Sequence, residues 1–251
     1  MSNRSIKEDN APVGRLAGYY GKIPLAGDFI TRRVAQNTAS IWDNWLRHGL
    51  LYVKNAEPAR EWIEQRQSTI WNFVVPPSIC GGQLIGLISD SRDRVGRQYP
   101  FTMFESMALR GGGQFRLDQV TPFFIRHAPI LRALQLRQMN GDQLELALDS
   151  VRDWQFPLLA DPVPQSHEGD IFAVLGGGSG SNSGNDDDEV TVAPPPGGLL
   201  PWPGMDLAEV MRGDTSYWWT NQTMGGPLRA FTHTGGLNET LFRILFTPLT
   251  R

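Results

Sequence analysis

Leu84–Met107, LIGLISDSRDRVGRQYPFTMFESM, decides how the rest of the chain is read. Leu84, Ile85, Leu87 and Ile88 form one apolar run, and Tyr99, Phe101, Met103, Phe104 and Met107 form a second. Both are short and bounded by Gly, Ser and Asp, and Pro100 opposes a helix, so both read as buried strands. Between them Asp90, Arg92, Asp93, Arg94 and Arg97 crowd around Gly96. So many charges are costly to bury, so the connection is expected to be an exposed polar tip on a hairpin from the middle of a sheet.

Outward from this hairpin, Arg15–Lys22 reads as a strand, and Pro24, Gly27 and Asp28 mark a tight turn before an extended Phe29–Val34. Ile41, Trp42, Trp45, Leu46 and Leu50 recur at helical spacing, which predicts a helix over 38–53 capped by Asn37 or Thr38. Pro58 suits the first turn of a further helix, and Trp71–Val75 reads as a strand stopped by Pro76 and Pro77. Residues 119–139 read as helix, with Pro129 expected to kink it or split it in two. Short helices are expected over 143–151, 205–211 and 238–246, and strands over 171–175, 217–220 and 228–233. Strands that pair across the helical middle would make an α/β (α+β) protein of three layers, α/β/α, around a largely antiparallel sheet. Two small lobes divided near residue 153 are the alternative.

The bulk numbers narrow the function. With 251 residues the chain can bury a full core without disulfides or metals. Hydrophobic content of 40% and charged content of 20% are ordinary for a globular protein. A net charge of −3 argues against a general nucleic-acid or anionic-membrane binder. There is 1 cysteine, Cys80, in an apolar setting, which excludes an internal disulfide and reads as a small buried hydrophobe. Met1–Pro12 has no apolar signal-peptide core and no run is long enough to span a membrane, so a cytoplasmic location is expected. The 8 tryptophans are expected to be mostly core, with room for an aromatic contact surface. Residues 1–13 read as a flexible lead-in. Gly176–Pro196, with its Gly/Ser run and Asp186–Glu189, reads as a disordered insertion.

Catalytic signatures are scarce. Gly21-Lys22 lacks the rest of a phosphate-binding loop, no G-x-S-x-G elbow occurs, and Ile171 stands where His167-Glu168 would need a second zinc-binding histidine. The 4 histidines, His48, His127, His167 and His233, are far apart in sequence. No cofactor or metal is expected, because consecutive Asp186–Glu189 carboxylates form a poor cation cage. Two features stand out. In Gly18–Asp28, GYYGKIPLAGD, Lys22 and Asp28 could pair across a glycine-rich turn, or Asp28 could simply hold the turn. On the tip, Arg92, Arg94 and Arg97 could dock an acidic or phosphorylated partner, or simply be solvated.

These features also carry a resemblance. GYYGKIPLAGDF, the W-x-x-W-L of Trp42–Leu46, the D-x-V-G-R-x-Y-P-F of Asp93–Phe101 and the later Trp218-Trp219 pair resemble, in order, the TagF (ImpM) family of bacterial type VI secretion systems. The likeness is good over 14–150 and looser beyond. It implies a single domain over 14–251 with a longin-like fold, a central sheet with helices on both sides. It implies a cytoplasmic post-translational repressor that acts on the forkhead-associated scaffold protein of the apparatus, with no catalytic residues to carry over. The partner-binding residues expected on this basis are Arg92, Arg94, Arg97, Lys22 and Asp28. The alternatives are a hydrolase-like enzyme with a site assembled from distant residues, and a structural part of the apparatus.

Overall fold

The computed structural model describes residues 16–56, 69–107, 115–152, 200–222 and 227–247. The expected strand 171–175, the helix beginning at Pro58, His167, the lead-in 1–13 and the insertion 176–196 lie outside these residues.

Alternating side chains build the sheet. Strands β1 (Gly18–Gly21), β2 (Ile30–Arg32), β3 (Trp71–Val75), β4 (Leu84–Ser89), β5 (Phe101–Ser106), β6 (Thr215–Thr220) and β7 (Ala230–Thr234) form a 7-stranded sheet in the order β2-β1-β5-β4-β3-β6-β7. Every adjacent pair is antiparallel. The Leu84–Met107 hairpin stands at the centre, with Leu87 opposite Met103 and Gly86 opposite Phe104. β6 and β7 join the same sheet through β3, so strands from before and after residue 153 share it.

The period of two sorts the side chains into two cores. Ile85, Leu87, Phe101, Met103 and Trp219 face one way, under helices α3 (Leu117–Gln135), α4 (Gly141–Ser150) and α5 (Leu207–Val210). Trp71, Phe73, Leu84, Ile88, Phe104 and Trp218 face the other way, under α1 (Gln36–Ala56) and α6 (Glu239–Phe246). The short α2 (Pro77–Cys80) links β3 to β4. With both faces covered, β3 and β4 are buried at every position, as their continuous apolar runs require.

Among the described residues, tryptophans fasten layers to each other. Trp42 is fully buried against Phe73 and Phe104, and its Nε1 donates to Thr102 Oγ1 at 3.0 Å. Trp45 Nε1 donates to the Asn238 carbonyl at 2.8 Å and Trp71 Nε1 to the Leu245 carbonyl at 3.0 Å, which ties α6 to α1 and to the sheet. α1 and α6 approach closely at Gly49, where an added Cβ would lie 2.2 Å from the Phe242 ring.

Two local expectations need correction. The helix begins at Gln36, so neither Asn37 nor Thr38 caps it, and the Thr38 hydroxyl donates instead to the Cys80 carbonyl at 3.2 Å. Of the kink or split expected at Pro129, the split does not occur: residues 117–135 form one helix that contains both Pro122 and Pro129. An interior proline costs roughly 3 kcal/mol. Burial of Phe123, Phe124, Ala128, Ile130, Leu131 and Leu134 on the sheet offsets that, at about 1.5–3 kcal/mol for each large apolar side chain.

Candidate functional site: a locked two-loop tip

The Asp90–Arg97 connection is not a free hairpin tip. Its Asp93 is fully buried, and it accepts from Lys22 Nζ at 3.1 Å and from Arg97 Nε at 2.6 Å. The other carboxylate oxygen accepts the backbone N–H of Val95 at 3.0 Å and of Arg97 at 2.9 Å, an Asx-type arrangement that shapes the loop. Burial alone would raise the Asp93 carboxyl, but Lys22 and the Arg97 donors outweigh it and hold the group below the ordinary carboxylate range.

The lock joins the two segments that stood out in the sequence. The Arg94 N–H donates to the Ala26 carbonyl at 2.9 Å, and Arg97 Nη2 donates to the Gly27 carbonyl at 2.8 Å. Gly21 has φ +136°, and a Cβ there would lie 2.2 Å from the Pro100 carbonyl oxygen, so only glycine lets the two motifs meet. Lys22 pairs with Asp93 and not with Asp28, which stays exposed on the 24–29 turn. The expectation that all five tip charges face water fails at Asp93, because two cations and two N–H groups compensate its desolvation.

A second network adjoins the first. Tyr20 and Tyr99 both donate to Asp43 Oδ1 on α1, Tyr99 at 2.7 Å, while Arg47 Nε meets Asp43 Oδ2 at 2.8 Å. Burial, reinforced by Asp43, pushes the Tyr20 phenol up to about 12 and Tyr99 further in the same direction. On the opposite face of β1, Tyr19 donates to Glu145 of α4 at 2.6 Å, and Arg33 grips the same carboxylate at 2.9 and 3.1 Å. Consecutive tyrosines thus bind the helical layers on opposite faces of the sheet. Phe29 is 41% exposed; it packs edge-on against Tyr99 at 4.6 Å, and Lys22 Nζ lies 4.8 Å from the Phe29 ring centroid.

The five sequence-selected residues therefore separate. Lys22, 7% exposed, belongs to the lock. Arg97 is exposed along its side chain but commits donors to Asp93 and Gly27. Arg92, Arg94 and Asp28 point outward, and among the described residues neither Arg92 nor Arg94 forms an ion pair. Sequence reasoning missed Asp93 as the centre. The available signal was Asp followed by Gly three residues later, a turn spacing in which the Asp side chain bonds backbone N–H groups.

Among the described residues the histidines do not converge. His48 lies on α1 and His127 on α3, on opposite sides of the sheet, and His233 lies on edge strand β7. His127 is buried with Nδ1 at 2.8 Å from the Phe123 carbonyl, and burial pushes it down to about 4. Cys80 is buried, and its thiol is pushed up to about 11 by that burial. A cavity of about 530 Å³ lies beside α5 and β6, lined in part by Asp206, Glu209 and Tyr217. The Asp206 carboxylate there accepts from the N–H groups of Ala208 and Phe115, so it caps α5. Among the described residues no group of three or more His, Cys, Asp or Glu is placed to hold a metal. Among the same residues no helix is long and apolar enough to cross a membrane.

Fold and site together define a three-layer antiparallel α/β protein with a rigid, arginine-bearing tip between β4 and β5. The sequence model of the TagF N-terminal domain, type VI secretion system-associated, matches residues 18–151, more than half of the chain and all of the interlocked motifs. The chain belongs to that family and has an accessory role in type VI secretion. The crystal structure of PA0076 from Pseudomonas aeruginosa PAO1 shares the fold, with a TM-score of 0.56 at 18% identity over 94% of this chain and 98% of that one. A search of curated protein sequences finds no match.

Proposed function

We propose that this protein is a cytoplasmic, non-enzymatic repressor of its type VI secretion system, and that it binds the forkhead-associated scaffold protein of the apparatus. One observation carries the reading. The two most distinctive family motifs spend their polar groups on each other, and the product is a rigid tip that presents Arg92 and Arg94 to solvent. A preformed tip loses little conformational entropy on docking, which suits a binding protein.

The test is co-purification of the full chain with the scaffold from cells whose secretion locus is intact, paired with secretion assays on deletion. The reading predicts a complex and increased secretion when the gene is removed. Absence of a complex together with unchanged secretion would overturn it. So would retention of the chain at fixed stoichiometry in purified apparatus, which is the behaviour of a structural part.

A further inference from the structure

The tip carries more than charge. Leu25 is 44%, Phe29 41% and Val95 69% exposed, and these are the large apolar side chains that the two locked loops leave in water. The loops are bonded to each other through Arg94 N–H to Ala26 and Arg97 to Gly27, so these side chains ride on one rigid body. Lys22 beneath the Phe29 ring and Tyr99 at its edge fix that ring in place. Arg92 and Arg94 flank the same loop with free guanidinium groups among the described residues.

We infer that this tip is a composite docking surface for an acidic segment of a partner protein that carries a large apolar side chain. The apolar side chain meets Phe29, Leu25 and Val95, and the carboxylates meet Arg92 and Arg94. The donors that are spent define the chemistry. A phosphate dianion is best held where several donors converge, yet Lys22 and Arg97, which do converge, are turned inward onto the Asp93 carboxylate, whose negative charge opposes a second anion there. The remaining guanidiniums sit on separate side chains, which suits carboxylates spread along a chain. An anionic membrane fits less well, because the apolar contribution here is three side chains on two short loops rather than the apolar face of an amphipathic helix. The inference rests on the repressor reading only for the identity of the partner.

The experiment uses the full chain and a fluorescently labelled Glu-rich peptide with a central Trp, read by polarisation at low salt. Binding is expected, and it should weaken at least about tenfold in Arg92→Glu/Arg94→Glu and in Val95→Asp, with unchanged melting temperatures. Leu146→Asp, an exposed apolar site on α4, should bind as the unmodified chain does. Replacing the peptide Trp by Ala should weaken binding, and replacing Glu by Lys should abolish it. No binding, binding indifferent to the tip substitutions, or preference for phosphatidylglycerol vesicles or for a phosphoserine peptide of lower carboxylate content would overturn the inference. A parallel titration with the purified scaffold separates the two claims. If the scaffold binds equally to the unmodified chain and to the tip variants, the inference falls and the repressor reading stands. If the peptide binds as expected and the scaffold does not, the inference stands and the repressor reading falls.

Discussion

Asp93 holds Lys22, Arg97 and two backbone N–H groups on one buried carboxylate, so its removal strands a cation and opens the loop. Breaking one partner of a buried pair costs about 3–5 kcal/mol, and Asp93→Ala should show a loss of that order in urea unfolding. Arg97→Glu should also destabilise, because it places a second carboxylate beside Asp93, whereas Arg92→Glu and Arg94→Glu should stay within about 0.5 kcal/mol. The pH dependence follows from the folded-state shift. Asp93 is held below its ordinary value of 3.8, so the unfolded chain takes up its proton first as pH falls. Its contribution is complete above the carboxylate range and is lost on acidification through and below it, so Asp93→Asn should show a shallower acid limb. His127 acts at milder pH. It sits at about 4 in the fold against 6.5 unperturbed, so stability should fall from pH 6.5 toward 4, by roughly 3 kcal/mol at the limit. His127→Phe should remove that slope from melting curves taken across this range. A sequence shows that Lys22, Asp28 and Asp93 are available, but not which aspartate the lysine meets. That choice depends on the pairing of β1 with β5, which sets GYYGK beside the tip.

Elements were more legible than partners. The short apolar runs of β4 and β5, and the 3.6-residue spacing of Trp42, Trp45, Leu46 and Leu50, are local signals that survive in the structure. What local period lacks is tertiary compensation, and α3 shows it. Pro129 reads as a kink or a split, and the burial that the sheet beneath supplies keeps residues 117–135 one helix. Gly49 is the converse case, a residue that looks weak in a helix yet admits α6. Gly49→Ala should cost about 1–3 kcal/mol through overpacking on Phe242. The cost should shrink in a Phe242→Leu background, and a double-mutant cycle in denaturant would register the coupling. Equal costs in both backgrounds would place the strain elsewhere.

At the scale of the whole molecule, three layers are pinned together through the sheet: Trp42 of α1 bonds Thr102 of β5, Tyr20 of β1 bonds α1, Trp71 of β3 bonds α6, and Tyr19 of β1 bonds α4. The tip is then an extension of a stiff body, and charge reversal on it should change association without changing the fold. Three layers and an antiparallel sheet could be read from element order. The docking surface could not, because its apolar members, Leu25, Phe29 and Val95, come from two loops that only strand pairing brings together. On the proposed function, this surface is where the scaffold of the secretion apparatus docks. Calorimetric titration of the full chain into that purified scaffold, with and without Arg92→Glu/Arg94→Glu, tests it most directly. Saturable binding by the unmodified chain is expected, with at least about tenfold weaker binding by the double variant and matching melting curves. Heat of dilution alone from the unmodified chain would contradict it.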